Sequence, residues 1–107
     1  MKTIMLVCTA GMSTSLMVNK MKKVAVEQNI DADIFAVPAI ELESIIDTKD
    51  IDVILLGPQV KYMKSKFESK LEGRNIPIDV INMQYYGMMD GKKVLEQALD
   101  IINKNSN

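Results

Sequence analysis

Cys8 is the only cysteine in the chain, and it is followed directly by Thr9-Ala10-Gly11-Met12-Ser13-Thr14-Ser15. Four hydroxyl residues, one glycine and one alanine in seven positions let a backbone curl with its N–H groups turned inward, which makes a nest for an anion. A helix beginning near Ser13 adds unpaired N–H groups and its positive dipole end, so the loop suits a group the size of phosphate. A thiol in that field is expected to be activated as a thiolate by the helix terminus. With no histidine in the chain, every Ser/His and Cys/His catalytic pair is excluded. The nucleophile must then be activated by backbone and dipole. Attack by Cys8 on an incoming phosphoryl group would set its equatorial oxygens against the loop amides and give a cysteinyl phosphate. The competing reading of Cys8 is a buried structural thiol, because free cysteine ranks among the most buried residue types.

The elements that must hold this loop are readable from periodicity. Residues 3–8, TIMLVC, form an apolar run ended by Ala10-Gly11, the pattern of a strand buried on both faces. From Ser13 to about Asn29, Met17, Met21, Val24 and Ala25 recur at helical spacing, with Ser13 or Thr14 as cap and Asn29 at the end. Ala32 to Val37, closed by Pro38, reads as a second strand, and Glu41 to Thr48 as a short helix. Asp52 to Leu56, stopped by Gly57-Pro58, is a third strand. A helix from Gln59 to about Glu72 ends at Gly73, Ile76 to Ile81 makes a fourth strand, and Gly91 to Lys104 a last helix capped by Asp90. Alternating strands and helices call for an α/β fold, a four-stranded parallel open sheet with helices on both faces. Ligands of such sheets bind at the carboxyl ends of the strands, where Cys8 falls.

Composition narrows the function classes. The 107 residues fit a single domain, 1–107, with no room for a separate substrate domain. Thirteen basic and fourteen acidic residues, with no run of five like charges, argue against a nucleic-acid partner. Apolar runs stay far below the roughly 20 residues that span a bilayer, so no membrane insertion is expected. No signal peptide is legible, and a cytoplasmic location follows. One cysteine without histidine completes neither a disulfide nor a zinc site, so neither metal nor cofactor is expected.

Three stretches together carry a resemblance: CTAGMSTSLMV after the opening strand, ILLGPQVKYM at the third strand, and YYGMMDGKKVLEQAL before the last helix. The chain resembles the IIB domains of the lactose/cellobiose/chitobiose class of the sugar phosphotransferase system over nearly its whole length. The resemblance implies a fold related to low-molecular-weight tyrosine phosphatases. It also implies a relay: phosphohistidine of a partner IIA protein gives its phosphoryl group to Cys8, which passes it to sugar bound by the membrane permease IIC. Thr9 through Ser15 match the family's phosphate loop. Gly57, Pro58 and Gln59 match a neighbouring loop bordering the site, and with Met12 they are expected to meet the partners. The sugar, of cellobiose, chitobiose or lactose type, is not readable here, and a monomer is the default.

Tyrosine phosphatases close a similar loop with an arginine and add an aspartic acid, both needed for hydrolysis. Thr14 stands where that arginine would, the only arginine is Arg74, and no Asp-Pro pair exists. A carrier built this way should hydrolyse slowly, because only differential stabilisation of the chosen transfer speeds it. Two alternatives are weighed against the carrier. A phosphatase or arsenate-reductase-like enzyme lacks those two residues, and a nucleotide module would need a fuller glycine fingerprint. Most of the nine methionines read as core filler. Tyr62, Tyr85 and Tyr86 read as packing residues with solvated hydroxyls, and Lys61, Lys64, Lys66 and Lys70 as a solvated face with Glu68 and Glu72.

Overall fold

The computed structural model describes residues 1–9 and 12–105, except for the side chains of Met12 and Ser13. The expectations placed on Ala10 and Gly11, and on the side chains of Met12 and Ser13, lie outside the described residues.

Strand β1 runs Lys2–Cys8 and is buried from Thr3 onward, because both of its faces are covered. Ile4 and Leu6 point into one core with Val53 and Leu55, while Met5 and Val7 point into a second core with Ile54 and Leu56. A parallel strand covered on both sides reads as an unbroken apolar run, as this one does. β2 (Ala32–Pro38), β3 (Val53–Leu56) and β4 (Ile78–Val80) complete a parallel sheet in the order β2-β1-β3-β4. The chain leaves β1 toward β2 and leaves β3 toward β4, so the switch point lies between β1 and β3. Their carboxyl ends, at Cys8 and Leu56, open onto it.

Helix α1 (Met12–Glu27) and the last helix, α5 (Gly91–Asn105), cover the first face through Met17, Met21, Ala25, Val94, Leu95 and Ala98. The two helices cross so closely that a Cβ at Gly91 would stand 2.7 Å from Lys20 Cβ and 2.8 Å from the Lys20 carbonyl carbon. α1 ends in a Schellman turn: Asn29, at φ 56°, is left-handed, Ile30 N donates to Ala25 O at 2.8 Å and Asn29 N to Val26 O at 3.2 Å. Asn29 therefore closes the helix as its residue type suggests. Asp90 caps α5 by accepting from Lys93 N at 3.1 Å.

The second face is covered by α2 (Leu42–Thr48), preceded by a 3-10 turn at Ala39–Glu41, and by a segment that is not one regular helix. Pro58–Met63 is 3-10, and only Lys64–Lys70, α3, is α-helical. The tight turn, closed by Val60 N donating to Gly57 O at 2.9 Å, carries Val60 wholly into the second core. Packing of that side chain overrides the continuous helix expected from Gln59 onward. β4 is shorter than its apolar run, although Pro77 O and Ile81 N each add one ladder bond to β3. A further helix, α4 (Met83–Gly87), stands where the sequence showed none. Asn82 caps it, accepting from Gln84 N at 2.9 Å and Tyr85 N at 3.2 Å. Gln97 of α5 holds this turn in place, donating to Val80 O and accepting from Asn82 N, each at 3.0 Å.

Candidate functional site

Cys8 is the last residue of β1 and is buried, with its Sγ–H donating to Val37 O of β2 at 3.8 Å. On the α1 side Cys8 borders an open, mainly apolar cleft of about 500 Å³, walled by Ser15, Leu16 and Asn19 of α1 and by Ala36, Val37 and Pro38 of β2. Ser15 and Asn19, four residues apart, share one helix face, and both are exposed. Asn19 reads in the sequence as one polar residue of a solvated face. Its place beside Cys8 was signalled only by that spacing from Ser15.

α1 begins at Met12, so the backbone N–H groups of Met12, Ser13 and Thr14 have no carbonyl partner within their own helix. They lie four to six residues after Cys8, at the start of the helix that follows β1. Thr9 is exposed, whereas Thr14 is fully buried. The Thr14 hydroxyl lies 3.3 Å from the Tyr86 hydroxyl, which also accepts from Gln59 Nε2 at 3.4 Å. Tyr86 was expected to carry a solvated hydroxyl; instead that group joins the first turn of α1 to the loop after β3. Tyr62, by contrast, is 75% exposed, with little of the packing expected of it.

Gly57, Pro58 and Gln59 follow β3 and flank Cys8 from the other side of the switch point. Gly57 is buried and donates its N–H to Val7 O at 2.8 Å, extending the β1–β3 ladder to the residue before Cys8. A Cβ there would meet Gln59 Oε1 at 2.7 Å and Val7 O at 3.4 Å. Of the three, only Gln59 is exposed, so a docking partner can reach its side chain but not Gly57.

A second groove, about 450 Å³, opens on the opposite face of the sheet between α2 and α3. Thr9 stands at one end, and Ile40, Tyr62, Lys66 and Lys70 line it. The lysine-bearing face is therefore not wholly solvated: Lys70 pairs with Glu43, and Lys64 with Asp79 at 3.4 Å. Met83 and Met88 are 65% and 75% exposed and are not core, because the single turn of α4 turns Tyr85 and Tyr86 inward instead. Arg74 is engaged by Asp47 at 2.6 Å and Ile46 O at 3.3 Å, at the end of α2 that leads into the amino end of β3. It thus lies across the sheet from Cys8. Among the described residues, no helix is long and apolar enough to cross a membrane.

Residues 3–97 match the model of the family described as PTS system, lactose/cellobiose specific IIB subunit. A galactose-specific EIIB component of Lactococcus lactis subsp. cremoris is 47% identical over 105 residues, covering 95% of this chain and 97% of the relative. A cellobiose-specific EIIB component of Lactococcus lactis subsp. lactis is 46% identical with the same coverage. An oligo-beta-mannoside-specific EIIB component of Bacillus subtilis is 43% identical over 102 residues, again covering 95% and 97%. The solution structure of a cellobiose-specific phosphotransferase IIB component from Borrelia burgdorferi superimposes with a TM-score of 0.78 at 40% identity, covering 97% of this chain and 94% of that one. The lactose-specific IIB domain from Streptococcus pneumoniae, 17% identical with a TM-score of 0.77 and coverage of 94% and 96%, shares the fold.

Proposed function

Because the chain belongs to the lactose/cellobiose-specific IIB family of the sugar phosphotransferase system, we propose that Cys8 is the residue on which it carries the phosphoryl group. IIB components are phosphotransferases that accept a phosphoryl group from IIA and transfer it to sugar, and this is the activity of the chain. The observation that carries the assignment to Cys8 is its position: the end of β1, at the switch point, beside an open cleft and directly before the first turn of α1.

The cycle balances as follows. The Cys8 thiol gives up its bond to Val37 O, and its proton passes to the departing imidazole of IIA as the P–N bond breaks and the S–P bond forms. The equatorial oxygens of the phosphoryl group sit against the amides of the loop Thr9 to Ser15, which stabilise charge where it develops. In the second half-reaction a sugar hydroxyl oxygen attacks phosphorus, its proton leaves to a base on the acceptor side, and Cys8 departs as thiolate, which takes up a proton from solvent to restore the starting thiol. With Thr14 rather than arginine in the loop, and Arg74 tied to α2, water is given no comparable help.

Of the cellobiose, chitobiose and lactose types, the relatives' names, which print galactose, cellobiose and oligo-beta-mannoside, support the cellobiose type as the sugar held by IIC. Partners meet the site through Met12 and the Gly57–Gln59 loop, with Gln59 presenting the accessible side chain. The chain acts as one monomeric cytoplasmic domain. Intact mass after incubation with phosphoenolpyruvate, the general phosphotransferase proteins and a matching IIA tests the assignment. One added phosphoryl group is expected in wild type and none in Cys8→Ala; equal labelling of the variant would place the acceptor elsewhere.

A further inference from the structure

A partly buried polar contact at the start of α1 joins three segments that are distant in sequence. Thr14 belongs to the first turn of α1, Gln59 to the turn after β3, and Tyr86 to α4 after β4. We propose that Tyr86 is a positioning residue for phosphoryl transfer, its hydroxyl accepting from Gln59 Nε2 and sharing a hydrogen bond with Thr14 Oγ1 so that the first turn of α1 is held at one distance from Cys8. The inference rests on Cys8 being the phosphoryl acceptor and on the loop amides holding the group.

The direction of the contact follows from donor inventory. An amide nitrogen of glutamine only donates, so the phenol oxygen accepts at 3.4 Å, and a hydroxyl that accepts there still has both donor and acceptor capacity for Thr14 Oγ1 at 3.3 Å. Thr14 is fully buried, and a buried hydroxyl without a partner is costly. The contact therefore fixes both the Thr14 rotamer and the backbone that carries it. The Thr14 N–H belongs to the first helical turn that faces the phosphoryl oxygens. Misplacing such a donor by about 1 Å can cost on the order of a hundredfold in rate. The Tyr86 ring packs against the α1 and α5 core, which gives the hydroxyl a rigid base. Gln59 is exposed at the other end of the contact, so a partner that engages Gln59 touches the same chain of bonds.

Single-turnover transfer from phosphorylated IIA tests this, with thermal unfolding measured alongside. Tyr86→Phe removes one oxygen and keeps the ring. It is expected to lower the transfer rate at saturating donor about tenfold, the size of one well-placed hydrogen bond. Half-saturation and Tm should stay close to wild type. Thr14→Val should show the same loss, Thr14→Ser should retain most of the rate, and the Tyr86→Phe/Thr14→Val double variant should be no slower than either single one. A wild-type rate in Tyr86→Phe, or losses that multiply in the double variant, would overturn the proposal. So would a rate loss matched by a lower Tm and a raised half-saturation, which marks a purely structural contact. Endpoint mass separates the two levels: full Cys8 phosphorylation in every variant with equal rates sinks only the role of Tyr86, whereas no phosphorylation of wild type sinks the carrier assignment itself.

Discussion

Two loops leave the carboxyl edge of the sheet beside the switch point, one after β1 and one after β3, and they are built on different plans. The first feeds a sixteen-residue α-helix, so it presents a full first turn of unpaired N–H groups and the positive end of a long dipole. The second begins with Pro58, which has no N–H, and continues as a 3-10 turn in which Val60 departs from helical geometry. Its backbone has little to offer an anion. What it supplies is a side chain, Gln59, and a buried glycine that brings it against β1. One loop is thus suited to hold the phosphoryl group and the other to brace the holder, with Tyr86 between them.

The contrast can be broken most sharply by deleting a backbone donor without touching any side chain. Replacing the Thr14 amide by an ester is expected to slow phosphoryl acceptance by on the order of a hundredfold, as loss of one charge-stabilising donor does elsewhere. The matching ester at Gln59 should leave the rate unchanged, and stopped-flow or quench kinetics would show it. Gly91→Ala addresses how the first loop keeps its aim. The new Cβ would meet the Lys20 backbone, which cannot yield, so α5 must lift from α1. A loss of about 1–3 kcal/mol in chemical denaturation is expected. Asn82→Ala strips the cap from α4, the base of Tyr86, and should cost about 1 kcal/mol by the same assay. Gly57→Ala should have the smallest effect, under about 1 kcal/mol, because its nearest obstacle is the mobile end of Gln59. Were Gly57→Ala the worse of the two glycine changes, the bracing loop and not the α1–α5 crossing would be the rigid part.

The portion of this design that was legible in the sequence is the portion written locally. β1 and β3 are buried on both faces, so each shows as a short unbroken apolar run. The long amphipathic helices show their period, and Asn29 and Asp90 mark real helix ends, whereas α3 stops at Lys70, and Gly73, at φ 84°, lies in the turn beyond it. Cys8 stood out because the pattern that singles it out, a thiol ending an apolar run and followed by small and hydroxyl residues, is local in sequence. α4 was not, since five residues make too little of a helical period to register, and its cap at Asn82 has no capping partner three residues on. The 3-10 turn at Pro58–Met63 escaped notice because its cause is tertiary, the burial of Val60 beneath β1 and β3. The contact of Thr14 with Tyr86 spans 72 positions and leaves no spacing to read. The same is true of Val37 O beside the Cys8 sulfur, 29 positions away.

The central claim, that backbone amides of the first loop hold a phosphoryl group on Cys8 while the second loop only braces it, is open to one direct measurement. Amide proton and nitrogen shifts should be recorded before and after phosphorylation of uniformly nitrogen-15-labelled protein. The account predicts large downfield changes confined to Thr9 through Ser15, with the amides of Gln59 to Met63 moving little. Large changes in the second loop with a quiet first loop would contradict it.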